Sequence, residues 1–229
     1  MPSDLSKTLI CNRALAICGI GQQVSNVDTD TSFEAQTCKL FYNDTRDRLL
    51  REWPWPFATA YATLPQVGGQ NPNLQWGYAH TIPANCLRTR FLMPANEIPT
   101  SLFGSPIFDI PWAFWWSGCG WPYPIDQWSI PFGKGIDSSG NELLFTDETP
   151  ANLVYTAQIT DESMFDVSFG RALEWAMAAE LVMPLSINEQ RAEKISTGSL
   201  AALQQARNIA ENEIQNRPPP PSSFEAARY

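Results

Sequence analysis

The hydrophobic pattern changes period between Arg46 and Pro65. Arg46-Asp47-Arg48-Leu49-Leu50-Arg51-Glu52 closes a charged amphipathic helix, and Trp53-Pro54-Trp55-Pro56 makes an aromatic-proline corner. Beyond the corner, Phe57, Thr59, Tyr61 and Thr63 alternate with Ala58, Ala60 and Ala62. A helical period gives way to a period of two, the signature of a helix handing over to a strand. No catalytic motif occupies the stretch. It predicts a helical bundle attached to a sheet at a fixed angle, and so a structural role.

The same reading extends both ways. Residues 4–20 predict a first helix, capped by Asp4 or Ser3 and stopped by Gly19 and Gly21. Leu5, Leu9, Ile10, Leu15 and Ile17 recur along it. Thr31 with Glu34 fits a capping box, each side chain satisfying a free amide of a second helix that runs to Trp53. Pro54 and Pro56 end that helix. Residues 57–64 predict a strand, and 76–92 predict extended segments broken at Pro83. Residues 136–146 predict a hairpin around Asp137-Ser138-Ser139-Gly140-Asn141, and 153–157 a further strand. Helix returns near residue 163, where Phe165, Phe169, Leu173, Ala176, Met177 and Leu181 form an apolar stripe that Pro184 stops. Ser186 with Glu189 repeats the capping pattern and opens a last helix to Asn216. Its apolar set is Ile195, Leu203, Ala206, Ala210 and Ile214, with Gly198 as a bend.

The fold class that follows is α+β, with a helical bundle of about four helices and an inserted small antiparallel β domain. The bundle takes 1–56 and 160–216, an N-terminal pair plus a C-terminal pair, and the β domain takes 57–159. Within the β domain, residues 99–134 carry Trp112, Trp115, Trp116, Trp121 and Trp128 among prolines and glycines, with very few charges. That block reads as core, as a protein interface or as a sugar-stacking platform. Residues 217–229 read as an extended proline-rich arm. Pro218, Pro219, Pro220 and Pro221 favour polyproline II, and Phe224 and Tyr229 are candidate anchors on a partner. The plainer reading of the arm is a disordered terminus.

Composition sharpens this picture. The chain has 229 residues, 17% of them charged, where about a quarter is usual. Low charge beside nine tryptophans points to apolar surface covered by a partner, or to an aromatic-rich core. The net charge of −9 lacks the basic footprint of a nucleic-acid binder. An acidic wall does suit a duct through which DNA slides without being gripped. No apolar run reaches the roughly 18 residues that span a bilayer, and no signal pattern opens the chain. Synthesis in the cytoplasm, without classical export or membrane association, is the expectation.

Candidate chemistry is sparse. The five cysteines make no CxxC pair; Cys11 and Cys18 read as small core residues with reduced thiols. Neither a metal nor a cofactor is expected, because ligand spacing and phosphate-loop motifs are missing. The single histidine, His80, reads as a satisfied structural residue. Asp147-Glu148 and Asp161-Glu162 sit at turns or helix starts, where anions favour the helix dipole.

The order and spacing of several segments resemble the tail tubular protein A family of short-tailed bacteriophages. They are Leu9-Ile10-Cys11-Asn12-Arg13-Ala14-Leu15-Ala16-Ile17-Cys18-Gly19 with Val27-Asp28, then Tyr42, Arg46-Asp47 and Leu49-Leu50 leading into Trp53-Pro54-Trp55-Pro56-Phe57-Ala58. Tyr78, Ile82-Pro83-Ala84-Asn85-Cys86-Leu87-Arg88, Leu144-Phe145-Thr146-Asp147 and Tyr155-Thr156-Ala157 continue the likeness. Phe165-Asp166 and Ala178-Ala179-Glu180-Leu181 complete it. Only the aromatic block and the arm fall outside it. The resemblance implies a head-to-tail adaptor, or gatekeeper: a non-enzymatic virion protein of the tail neck. It implies a ring expected to hold twelve copies between the portal protein and a tail nozzle like tail tubular protein B. It also implies a lumen for phage DNA, bound without sequence specificity. The expectation is that the five tryptophans make an inter-subunit or nozzle contact and that the arm docks along the portal. The rival is a virion-associated carbohydrate-binding or hydrolase module built on the aromatic block.

Overall fold

The computed structural model describes residues 5–68, 71–93, 130–185 and 189–213. The protein is α+β, with four helices and two small antiparallel three-stranded sheets among the described residues. The helices are α1 (Lys7–Ile17), α2 (Phe33–Glu52), α3 (Val167–Leu185) and α4 (Glu189–Glu213). The strands are β1 (Thr59–Leu64), β2 (Tyr78–Thr81), β3 (Cys86–Met93), β4 (Phe132–Ile136), β5 (Glu142–Thr146) and β6 (Ala151–Ala157). One sheet has the order β1-β6-β3 and the other β2-β5-β4.

The chain forms two compact units. The first takes the chain to Ala60, the short piece Asn85–Arg88, and Tyr155–Glu213; the second takes Tyr61–Ala84 and the described part of Thr89–Val154.

In the first unit α3 is the hub. It packs against α1, α2 and α4. Its predicted stripe is buried, and so are Ala172, Glu174, Ala178 and Val182 on other faces. A helix covered on nearly every side is apolar nearly all round. α1 buries Ile10, Cys11, Ala14 and Leu15; α2 buries Cys38, Tyr42, Leu49 and Leu50 at helical spacing. α4 buries only a narrow line, Ile195, Ala202, Ala206 and Ala210.

Several predicted boundaries move, each for a local reason. α1 starts at Lys7, capped by Ser6, whose Oγ accepts the Leu9 amide at 3.3 Å. Asp4 and Ser3, the expected caps, lie outside the described residues. The helix ends at Ile17, earlier than the predicted residue 20, because Gly19 adopts φ +77°. That left-handed turn lets Gly19 N–H reach Ala16 O and Ile20 N–H reach Leu15 O, closing the helix with a Schellman motif. Ser32 caps α2 in place of Thr31; its Oγ accepts the Ala35 amide, while Asp30 accepts the Ser32 amide at 2.9 Å. Phe57 and Ala58 belong to a single 3-10 turn, not to the strand. Pro184 lies within the last turn of α3, where it removes one bond and ends the helix a residue later than expected. The capping pair Ser186–Glu189 and the predicted end of α4, 214–216, lie partly or wholly outside the described residues.

α4 continues unbroken through Gly198. A Cβ there would collide with the Trp175 ring on α3. Gly198→Ala should lower stability by about 1 kcal/mol, because steric strain of 1–3 kcal/mol exceeds the helix-propensity gain of up to about 1. In a Trp175→Ala background the sign should reverse, since the ring is gone. Chemical denaturation of the four proteins tests this, and equal effects in both backgrounds would refute the steric account.

In the second unit β5 pairs antiparallel with β2 (Tyr78 opposite Thr146) and with β4 (Phe132 opposite Thr146). β4 begins before the predicted hairpin. Gly133 and Gly135 weaken its sequence signal, yet glycine is needed there: a Cβ on Gly135 would meet the Phe145 ring at 2.8 Å. The turn follows the prediction. Asp137 accepts the amides of Ser139 at 2.7 Å and Asn141 at 2.8 Å, and Gly140 supplies φ +85°.

Candidate functional site

The corner after α2 packs aromatic rings of the first unit together. Trp55 is fully buried and its indole N–H donates to Leu49 O at 2.8 Å. Its ring meets Phe169 edge-on at 5.0 Å, and Phe57 meets Phe169 and Phe165. Pro54 and Pro56 turn the chain, and Thr59 Oγ1 donates back to Trp55 O. Trp53 instead stays half-buried, with the Arg207 guanidinium 5.3 Å from its ring centre.

The charged helix face before the corner is used within the first unit. Arg46 is buried, and its Nε donates to Asp47 at 2.8 Å. Asp47 also accepts from the Gln158 side chain at 2.7 Å. Arg48 pairs with Glu180, and Arg207 with Glu52. Arg88 donates to Arg51 O. Around these groups lies an open depression of about 580 Å³, lined by Asp44, Asp47, Arg48, Arg51, Glu52 and Leu87. Most of its charges are already neutralised by neighbours in the same unit.

A second groove, of about 300 Å³, lies between α3 and α4. Asp166, Val167, Ser168 and Arg171 form one wall; Ala202, Gln205, Ala206 and Ile209 form the other. Sequence reasoning missed it. Its signal was weak: Val167 stands off the apolar stripe, and Ile209 interrupts the polar side of α4.

The chemistry-bearing residues are held in structural roles. His80 is fully buried, and its ring nitrogens face Leu64 O and Glu148 O at 3.3 Å each. Tyr42 is buried and donates to Glu162 at 3.0 Å; burial first, and that carboxylate second, push its phenol well above the usual range. The hydrogen bond that the Cys11 thiol donates to Cys38, together with burial, holds Cys11 far above its ordinary value. Burial pushes Cys18 up to about 11, and its thiol donates to Ala178 O. Thiols so placed are poor nucleophiles. Among the described residues no cluster of three or more His, Cys, Asp or Glu suits a metal, and no helix is long and apolar enough to cross a membrane.

No protein-family model matches the chain, and no curated protein matches it. The expected contact residues Trp112, Trp115, Trp116, Trp121 and Trp128 lie outside the described residues, as do Pro218, Pro219, Pro220, Pro221, Phe224 and Tyr229.

Exposed carboxylates close turns and helix starts. Hydrogen bonds from the Asn141 side chain and amide hold Asp137 below the usual carboxylate range; Asp30 and Asp161 are lowered by serine amides and hydroxyls. A carboxyl lowered by folding adds stability above its unfolded pKa and loses it as pH falls through the folded value. That window lies below about pH 4. The thermal midpoint should therefore fall on acidification through it, and Asp137→Asn should make the fall shallower. Calorimetry against pH measures both slopes; identical acid limbs would exclude a contribution from Asp137.

Proposed function

We propose that this chain is a structural virion protein, a head-to-tail adaptor whose ring joins the portal to the tail nozzle and forms part of the DNA ejection channel. In this reading the four helices are staves of a bundle, the β region is its inserted domain, and the ring holds about twelve copies. The observation that carries the reading is the use made of the resembling residues. Tyr42, Arg46, Asp47, Trp55 and Phe57 do architectural work: they are hydrogen-bonded, ion-paired or ring-packed within the first unit. Asn85 serves the same unit, accepting from Tyr155 and, through its carbonyl, from the Gln158 amide. A scaffold residue set of this kind suits a spacer held under load better than a pocket that turns over substrate. The surplus acidity suits a wall that lets DNA slide past.

The test is the mass of the purified protein by light scattering, alone and mixed with the portal ring of the same virus, followed by electron microscopy. A large species with an axial channel is the expected result. A protein that ignores the portal would overturn the proposal and turn attention to glycan binding.

A further inference from the structure

Two surfaces of the first unit complement each other: an exposed ridge on α2 and the groove between α3 and α4. The first is a ridge on α2. Phe33 and Leu40 are 62% and 73% exposed, and Asp44 follows Leu40 by one turn. The inward face of α2 is already spent on Cys38, Tyr42, Leu49 and Leu50. The second surface is the α3–α4 groove. Val167 is 72% exposed, Met164 stands exposed just before it, and Arg171 follows Val167 by one turn. Small side chains, Ala202 and Ala206, floor the groove, and Ile209 flanks it.

The geometry points to a heterologous contact in which the α2 ridge of one copy enters the α3–α4 groove of the next. This inference rests on the ring reading above. Three features argue for a second copy as the occupant. The apolar ridge Phe33–Leu40 would seat on Val167 and Ile209, the two large apolar side chains of the groove. Leu40 to Asp44 and Val167 to Arg171 are both one helical turn, about 6 Å of rise, so a parallel run seats both pairs at once. Asp44 and Arg171 are opposite in charge, and neither has an ionic or hydrogen-bonded partner among the described residues. An antiparallel run would instead carry Asp44 away from Arg171. Ridge and groove are different surfaces, so the contact is head-to-tail and propagates from copy to copy until a ring closes.

Charge swaps test it. Asp44→Arg and Arg171→Asp, each alone, place like charges across the contact; the double variant restores opposition with the signs exchanged. Assembly on the portal ring is followed by light scattering, with circular dichroism confirming that each variant is folded. Each single swap should raise the concentration for half-assembly by about tenfold, and the double variant should recover most of it. Wild-type rings with both single swaps assembling normally would overturn this interface and leave the adaptor reading standing. No ring from the wild type would overturn both. A groove filled by the chain's own last residues would also overturn it. In that case truncation after Asn216 would increase modification of Arg171 by phenylglyoxal in the free protein.

Discussion

Trp55→Ala should be the most damaging single substitution in the first unit, lowering stability by about 3–5 kcal/mol. The indole is fully enclosed, stacks edge-on against Phe169 and satisfies the Leu49 carbonyl at the end of α2. Truncation leaves a cavity at the corner and an unpaired buried carbonyl together. Against a total stability of about 5–15 kcal/mol, that loss is a third or more of what holds the fold. Trp53→Ala is the matched control. Trp53 is half-buried and stacks with Arg207, so its loss should cost only about 1 kcal/mol. Denaturant midpoints of the two variants separate the cases. Similar midpoints would mean that Trp55 is not the keystone of the corner.

His80→Ala should be the largest effect in the second unit, about 3 kcal/mol. The imidazole lies fully buried on β2, with Leu64 O on one side and Glu148 O on the other. Removing it opens a cavity and strips two carbonyls of their nearest polar neighbour. Amide hydrogen exchange should quicken along β2 and β5, the paired strands nearest the ring. His80→Gln should cost less, because an amide can still donate to one of the two carbonyls. Unchanged exchange in His80→Ala would show that the ring does not hold these strands.

Helices were legible where burial imposes a period. The Phe169–Leu181 stripe and the stop at Gly19 rest on contacts within a few residues, and local chemistry writes them into local sequence. The Asp137–Asn141 turn was legible for the same reason. Caps were misplaced by one residue at α2 because Thr31 and Ser32 offer the same hydroxyl, and only the Asp30 carboxylate, gripping the Ser32 amide, decides between them. β4 was obscured because Gly133-Lys134-Gly135 has no strand propensity of its own; its pairing with β5 creates it. The groove was hidden more deeply. It needs Val167 beside Ile209, residues brought together only by the packing of α3 on α4. The burial of Arg46 was not legible, since nothing nearby in sequence announces that Asp47 will also hold Gln158.

The first unit is assembled from pieces far apart in the chain, and this sets a timetable for synthesis. α1 and α2 leave the ribosome with Ile10, Leu15, Leu49 and Leu50 facing a helix that does not yet exist. The chain from Glu52 to Val167, with all the described strands, must be made before α3 can cover them, a delay on the order of ten seconds at about 5–20 residues per second. During that interval the nascent helical pair is a natural client for a holding chaperone, and the β strands have time to pair first. The order of synthesis thus lets the strands close before the N-terminal helices reach their final packing, which waits for α3 to emerge.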